Sequence, residues 1–436
     1  MRISTSMIYD QGVASMQQNR NTQAKLQAQL SSGLRVVTPS DDPVAASSAL
    51  EVQQSIALNA QFKLNGDSAK SQLSLEESAL GDTTTILQDV KTLAVNAGNP
   101  TLTNADRATI ANELNNHYQE LLAIANRSDS NGQFLFSGYK GATQPFSELS
   151  PGNVIYSGDS GQRLAQIGSS RTVPVSDAGD AIFQSIKNGN GTFVSAANGA
   201  NTGGGTIDSG VVTDPAAWNA GTNTKDFTIK FAVDNSVTPP STTYDIIDNV
   251  NNVSMLTGAA PAAAGPYLRS YVTGSAISLK TQSPPDTNAV PFDYGAIVTI
   301  SGQPASGDTF SVAASSNQDV FTTLHNLISS LQTGINGSAT TTAVSQNALN
   351  TAMSGIDNAL NNVLAVRADV GARLKEIDTA QTSSDDLSIQ YNATLSGLRD
   401  LDYTKAISDL SQQQVFLQAA QQSFLKITSL NLFSLL

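Results

Sequence analysis

The chain has 436 residues and a net charge of −13, with only 14% charged residues and no cysteine. That balance excludes nucleic acid and anionic membrane surfaces as partners, since both require clustered cations. It also removes disulfides, thiolate metal sites and thiol nucleophiles. Polarity is carried by Asn, Gln, Ser and Thr, and burying an amide costs far less than burying a charge, so the composition suits surfaces covered between subunits.

In chain order, the first twenty residues lack the apolar run of a secretory signal. Met16, Gln23, Leu26 and Leu30 form a weak helical stripe that stops at Ser31-Ser32-Gly33, with Gly33 as the residue after the helix. SDDP starts the next helix, Asp42 capping it and Pro43 in the first position. Leu73, Leu80, Leu87 and Ala94 then repeat at seven until Gly98–Pro100 stops the helix. Thr103 or Asn104 caps a third helix with Ile110, Leu114, Tyr118, Leu121 and Ala125 on one face, and FLFSGY (Phe134–Tyr139) reads as a hairpin-like strand.

From about residue 149 to 320 short alternating runs replace the helical period. Asp226–Val233, Gly295–Gly302 and Asp308–Ala314 are strand candidates, and the Gly-rich stretch Asn188–Gly205 reads as a flexible loop. Helix returns with VFTTLHNLISSLQ, which sets Val320, Leu324, Leu327 and Leu331 on one face. Leu349, Met353, Ile356, Leu360, Val363, Arg367, Val370, Leu374 and Ile377 follow 4-3 spacing, and the register continues to Leu398. About 50 such residues make a rod of roughly 75 Å. Thr382–Asp386 within it is either a polar pause or a break. Past Leu398 the register shifts, and Tyr403, Leu410, Leu417 and Phe424 repeat at seven, flanked by Ile407 and Ile427. From Leu410 to Leu436 the only charge is Lys426, yet interspersed Gln, Ser, Thr and Asn rule out a membrane anchor.

These readings predict an α+β protein in which a long helical bundle or coiled coil is formed by both chain ends around a central β-rich insert. The expected division is 1–40 with 400–436 as paired terminal helices, 41–148 with 321–399 as a helical rod with a hairpin, and 149–320 as a β-rich outer domain. The expected subunit interface comprises Leu26, Leu30, Tyr403, Ile407, Leu410, Leu417, Phe424, Ile427 and Leu430. Apolar residues around most of a helix require burial around most of it, and neighbouring subunits can supply that cover.

Catalytic chemistry lacks an inventory. The two histidines, His117 and His325, each lie beside an apolar helical stripe without triad partners. The acidic pairs Asp41-Asp42, Glu76-Glu77 and Asp385-Asp386 point about 100° apart on a helix, and capping and solvation account for all three. SGDSG (Ser157–Gly161) reads as a turn, lacking the other positions of a calcium or phosphate loop. Asn126-Arg127-Ser128 and Asn392-Ala393-Thr394 match glycosylation sequons that arise often by chance. No enzyme activity, cofactor or metal is expected.

LSSGLRVVTPSDDPVAASSAL (Leu30–Leu50) closely resembles the N-terminal segment shared by flagellins and the flagellar hook–filament junction proteins. Ala406–Leu436 resembles the C-terminal helix of the same group, while NGQFLFSGYKGATQPF (Asn131–Phe146) and GQPASGDTFSV (Gly302–Val312) are similar to hook-associated proteins. TPSDDP favours the third hook-associated protein family over flagellin. The resemblance implies an adaptor, assembled as a ring of copies between the first hook-associated protein and flagellin. It further implies an extracellular flagellar location, reached by type III export without a cleaved signal peptide and aided by a cytoplasmic export chaperone. A flagellin forming the filament itself is the alternative, and a surface adhesin a remote one.

Overall fold

A computed structural model describes residues 5–335 and 337–433; for residues 5, 6, 8 and 427–433 it describes the main chain alone. Helices α1 (Thr5–Ser32), α2 (Pro43–Ala97) and α3 (Asn104–Ala125) open the chain. Hairpins β1–β2 (Phe146–Ser150, Asn153–Tyr156) and β3–β4 (Leu164–Gly168, Arg171–Pro174) follow, then a π-helical turn at Asp180–Gln184. The insert contains β5 (Ile186–Lys187), β6 (Phe193–Ala197), β7 (Thr206–Ile207), β8 (Val211–Val212), a single turn α4 (Pro215–Trp218), β9 (Asp226–Asp234) and β10 (Ser241–Asp248). It continues through β11 (Val253–Ser254), β12 (Arg269–Ser270), β13 (Ala276–Lys280), β14 (Asp293–Ser301), β15 (Thr309–Ala314) and β16 (Asn317–Gln318). Helices α5 (Val320–Gln332), α6 (Ala339–Arg399) and α7 (Tyr403–Phe433) close it.

Capping explains the helix ends. Pro43 opens α2, and Asp42 Oδ1 accepts from Ala45 N at 3.0 Å. Thr103 and Asp106 form a reciprocal capping box on α3. Arg107, buried at the start of α3, donates to the carbonyls of Ala97 and Asn99 and so satisfies the main chain where α2 ends. The Thr382–Asp386 stretch lies inside α6, which runs unbroken through it. The break falls at residues 400–402, where Asp402 Oδ1 accepts from Lys405 N to start α7.

The chain divides into two compact units: residues 1–67, 166–171 and 377–436 form one, and 68–165 with 172–376 the other. Two of the four crossings between the units fall inside the long helices α2 and α6, and the other two fall within the β3–β4 hairpin.

In the larger unit, two antiparallel sheets face each other. One has the order β11-β10-β9-β15-β6 with β12 beside β10; the other has β13-β14-β7 with β8 beside β14. Alternation along β9 turns Phe227, Ile229 and Phe231 inward, where with Phe310 they share a core with Leu279 and Ile300 of the second sheet. Helical packing in the same unit buries Leu73, Leu80 and Leu87 of α2, Leu114 and Leu121 of α3, and Val320, Leu324, Leu327 and Leu331 of α5.

Four sequence expectations are corrected in this unit. Phe134–Tyr139 is no strand: Phe134 makes one bridge to Ser128, and the rest is a tight turn burying Leu135 and Phe136. Asn188–Gly205 is no continuous loop, because β6 runs through it and pairs in register with β15. Glu76 is not a solvated acid; it is 2% exposed. The amides of α6 also serve within the chain rather than between chains. Asn350 donates to Ile207 O, Asn358 to Lys187 O and Gly189 O, and Asn362 to Ala181 O and Ile182 O. Asn347 brackets the same strand, accepting from Ile207 N and donating to Gly205 O. These positions recur on one helix face and satisfy carbonyls that irregular backbone would leave unpaired.

Candidate assembly interface at the chain ends

Where α1 turns into α2, the LSSGLRVVTPSDDP segment ties both chain ends together. Gly33 has φ +72, the left-handed conformation that ends α1, and a Cβ there would lie 2.8 Å from the Tyr403 hydroxyl. Arg35 N donates to Arg399 O at 2.7 Å, Leu401 N donates to Gly33 O at 3.0 Å, and the Arg35 guanidinium donates to Leu398 O. Asp41 accepts from Val37 N and Thr38 N and pairs with Lys25 Nζ at 2.8 Å. The Lys25 ammonium and then the Thr38 N–H hold its carboxyl down at about 2. Asp42 is likewise held below the ordinary range by Ala45 N–H and then Arg35. The acidic pair therefore has two separate tasks: Asp41 fixes the turn and Asp42 caps the helix.

Beyond this junction α1 and α7 run antiparallel. Tyr9 meets Phe424 edge-on with ring centroids 5.9 Å apart, and Gly12 makes room for the Phe424 ring. Sequence spacing produces the seam: Tyr9, Gly12, Met16, Asn19, Gln23, Leu26 and Leu30 alternate at three and four, and all are half-buried. Among the described side chains of α7 the covered positions are Ala406, Asp409, Leu410, Gln413, Leu417, Ala420 and Phe424. Glutamine and asparagine occupy places that aliphatic residues hold in a tighter coiled coil.

Leu26, Leu30, Leu410, Leu417 and Phe424 thus come together in a seam inside the chain. Tyr403 continues the Leu410, Leu417 and Phe424 row with its hydroxyl beside Gly33 yet is 52% exposed, whereas Ile407 lies off that row and is 54% exposed. The side chains of Ile427 and Leu430 lie outside the described residues. Val415, Phe416 and Leu425 of α7 and Met7 and Val13 of α1 are also exposed. Sequence periodicity passed over these because they sit off the seven-residue repeat; their signal was apolarity where a solvated face should carry charge. Half of the large hydrophobic residues exposed among the described residues belong to the smaller unit, which holds under a third of the chain.

The remaining polar constellations are structural. His117 Nδ1 lies 3.5 Å from Glu120, and His325 Nε2 lies 3.3 Å from Ser329 Oγ. Asp159 in the SGDSG turn accepts from Tyr139 N and Gly161 N, and those N–H groups lower its carboxyl. Asn126 is bracketed to the Phe146 main chain through both ends of its amide, which occupies that sequon. No group of three or more metal-ligating side chains is found, and no helix is long and apolar enough to cross a membrane, both among the described residues.

Residues 3–141 match the bacterial flagellin N-terminal helical region, and residues 353–436 match the bacterial flagellin C-terminal helical region. The chain is 27% identical over 435 residues to flagellar hook-associated protein 3 of Salmonella typhimurium, covering 100% of this chain and 99% of that protein. The crystal structure of flagellar hook-associated protein 3 from Legionella pneumophila is 32% identical with a TM-score of 0.67, over 80% of this chain and 98% of that one. A flagellin from Clostridium tyrobutyricum is 33% identical over 140 residues, only 32% of this chain and 37% of that protein. Polar flagellin A of Vibrio parahaemolyticus matches over 91% of this chain, but at 24% identity, below the 32% shared with the Legionella hook-associated protein 3. The chain belongs to the flagellar hook-associated protein 3 family.

Proposed function

We propose that this chain is a structural adaptor subunit of the bacterial flagellum that joins hook to filament and performs no catalysis. The observation that carries the reading is the paired α1 and α7, held by the Gly33–Asp42 junction, with Ile407, Val415 and Phe416 exposed beside the seam. Apolar residues flanking a seam already filled within the chain favour cover by other subunits. Copies of the chain form a ring through these faces, bounded by the first hook-associated protein on the hook side and flagellin on the filament side. Residues 1–40 and 400–436 form the assembly core, 41–148 and 321–399 the rod, and 149–320 the outer domain. The subunit is carried to the export apparatus by a cytoplasmic chaperone that covers the same apolar faces.

Electron microscopy of flagella labelled against this chain tests the reading. Label confined to the hook–filament boundary is expected, and label along the filament identifies a filament protein instead. A strain lacking the chain is expected to keep intact hooks and shed unpolymerised flagellin into the medium; normal filaments on that strain overturn the proposal.

A further inference from the structure

Two carboxylates and one guanidinium meet inside the larger unit. Asp177, in the segment after β4, takes both ends of the Arg373 guanidinium at 2.8 and 3.0 Å and a third bond from Gln162 Nε2 at 2.7 Å. Its own N–H donates to Glu76 Oε1 at 3.1 Å. Glu76 and Asp177 are both buried, so the segment's main chain rests on one acid while its side chain neutralises the only cation of the cluster. The charged groups acting on Glu76 are Asp177 and Arg373. On α2 itself, Glu77 bonds the Arg367 guanidinium on α6. Ahead of β3, Arg163 bonds Ser176. Arg373 is thus engaged by Asp177, and Arg163, though still charged, is turned to the Ser176 hydroxyl. An ionised Glu76 would be a second buried anion with no cation bonded to it among the described residues, at severe cost.

We propose that Glu76, Asp177 and Arg373 form a proton-operated latch that holds the segment 173–179 against α2 and α6 while Glu76 keeps its proton and loosens it when the proton leaves. Burial, and then the Asp177 carboxylate, push the Glu76 carboxyl well above the ordinary range, in accord with this geometry. The sign follows from linkage. Unfolded chain releases this proton near pH ~4.3, whereas the latched form retains it. The latch is complete below the unfolded value and is lost as pH rises through the folded one, with its opening constant growing about tenfold per pH unit across that window.

The test follows amide hydrogen exchange of residues 173–179 in the full chain from mildly acidic to alkaline pH, corrected for intrinsic rates. Wild-type protection is expected to fall with rising pH, while Glu76→Gln, which cannot ionise, keeps protection flat. Parallel profiles for the two proteins overturn the proposal. Should Glu76→Gln fail to fold, infrared spectroscopy of the wild type decides: a protonated carboxyl band must disappear over the same pH range as the protection. A band that titrates elsewhere, or none at neutral pH, overturns it as well. Asp245 is a second carboxyl pushed up by burial, and segment-specific exchange separates it because it lies on β10.

Discussion

Arg269 lies inside the two-sheet body with its guanidinium bonded to both oxygens of Asp286 at 2.9 and 2.6 Å and to the carbonyls of Ser278 and Lys280. The pair is 2% and 0% exposed at the side-chain level. Removing one partner strands the other charge, so Arg269→Ala should cost about 3–5 kcal/mol, and the double replacement Arg269→Met with Asp286→Ala should cost less than that single change. Chemical denaturation of the three proteins measures this; a double variant weaker than the single one refutes the account. Asp286 shows how far single residues were legible in sequence: nothing in SPPDTN separates it from a surface turn acid. Glu76 was misread for the same reason. Adjacent acids on a helix do point apart, but which of them faces inward depends on the neighbouring segment from residue 172 onward. Asp42 and Pro43, by contrast, were readable because a cap acts within four residues of itself.

At the scale of the element, α7 carries two kinds of apolar residue that the sequence did not separate. Leu417 packs in the α1–α7 seam and Phe416, its neighbour, is 51% exposed. Leu417→Asp should loosen the helix pair, lowering its stability by about 2 kcal/mol, with a matching loss of helix signal on heating. Phe416→Asp should leave folding within about 0.5 kcal/mol of wild type and yet block assembly onto hooks. Equal effects of the two substitutions on folding would dissolve the distinction. The asparagine face of α6 invites a similar comparison. Asn358→Ala leaves the carbonyls of Lys187 and Gly189 without their 2.8 Å donors, and each lost bond should cost about 1 kcal/mol. Faster amide exchange confined to β5, β16 and the Asn188–Gly191 turn is the expected readout.

For the whole molecule, low charge sets the expected thermodynamics of association. Exposed faces of α1 and α7 carry apolar groups and amides, so contact between copies should depend weakly on ionic strength and show a negative heat-capacity change. Sedimentation and calorimetry across a salt series check both; dissociation that sharpens steeply with added salt would point to ion pairs instead. Sequence alone determined the α+β class, the helical ends around a β-rich insert, most helix limits and the lack of a catalytic inventory. Each of these depends on periodicity, capping or composition, which act over a few residues. Tertiary structure decided which apolar positions fill the intrachain seam and which stay open, where the amides of α6 bond, and which acid of Glu76-Glu77 is buried. Those outcomes depend on segments hundreds of residues apart meeting in space, and no local spacing encodes the meeting.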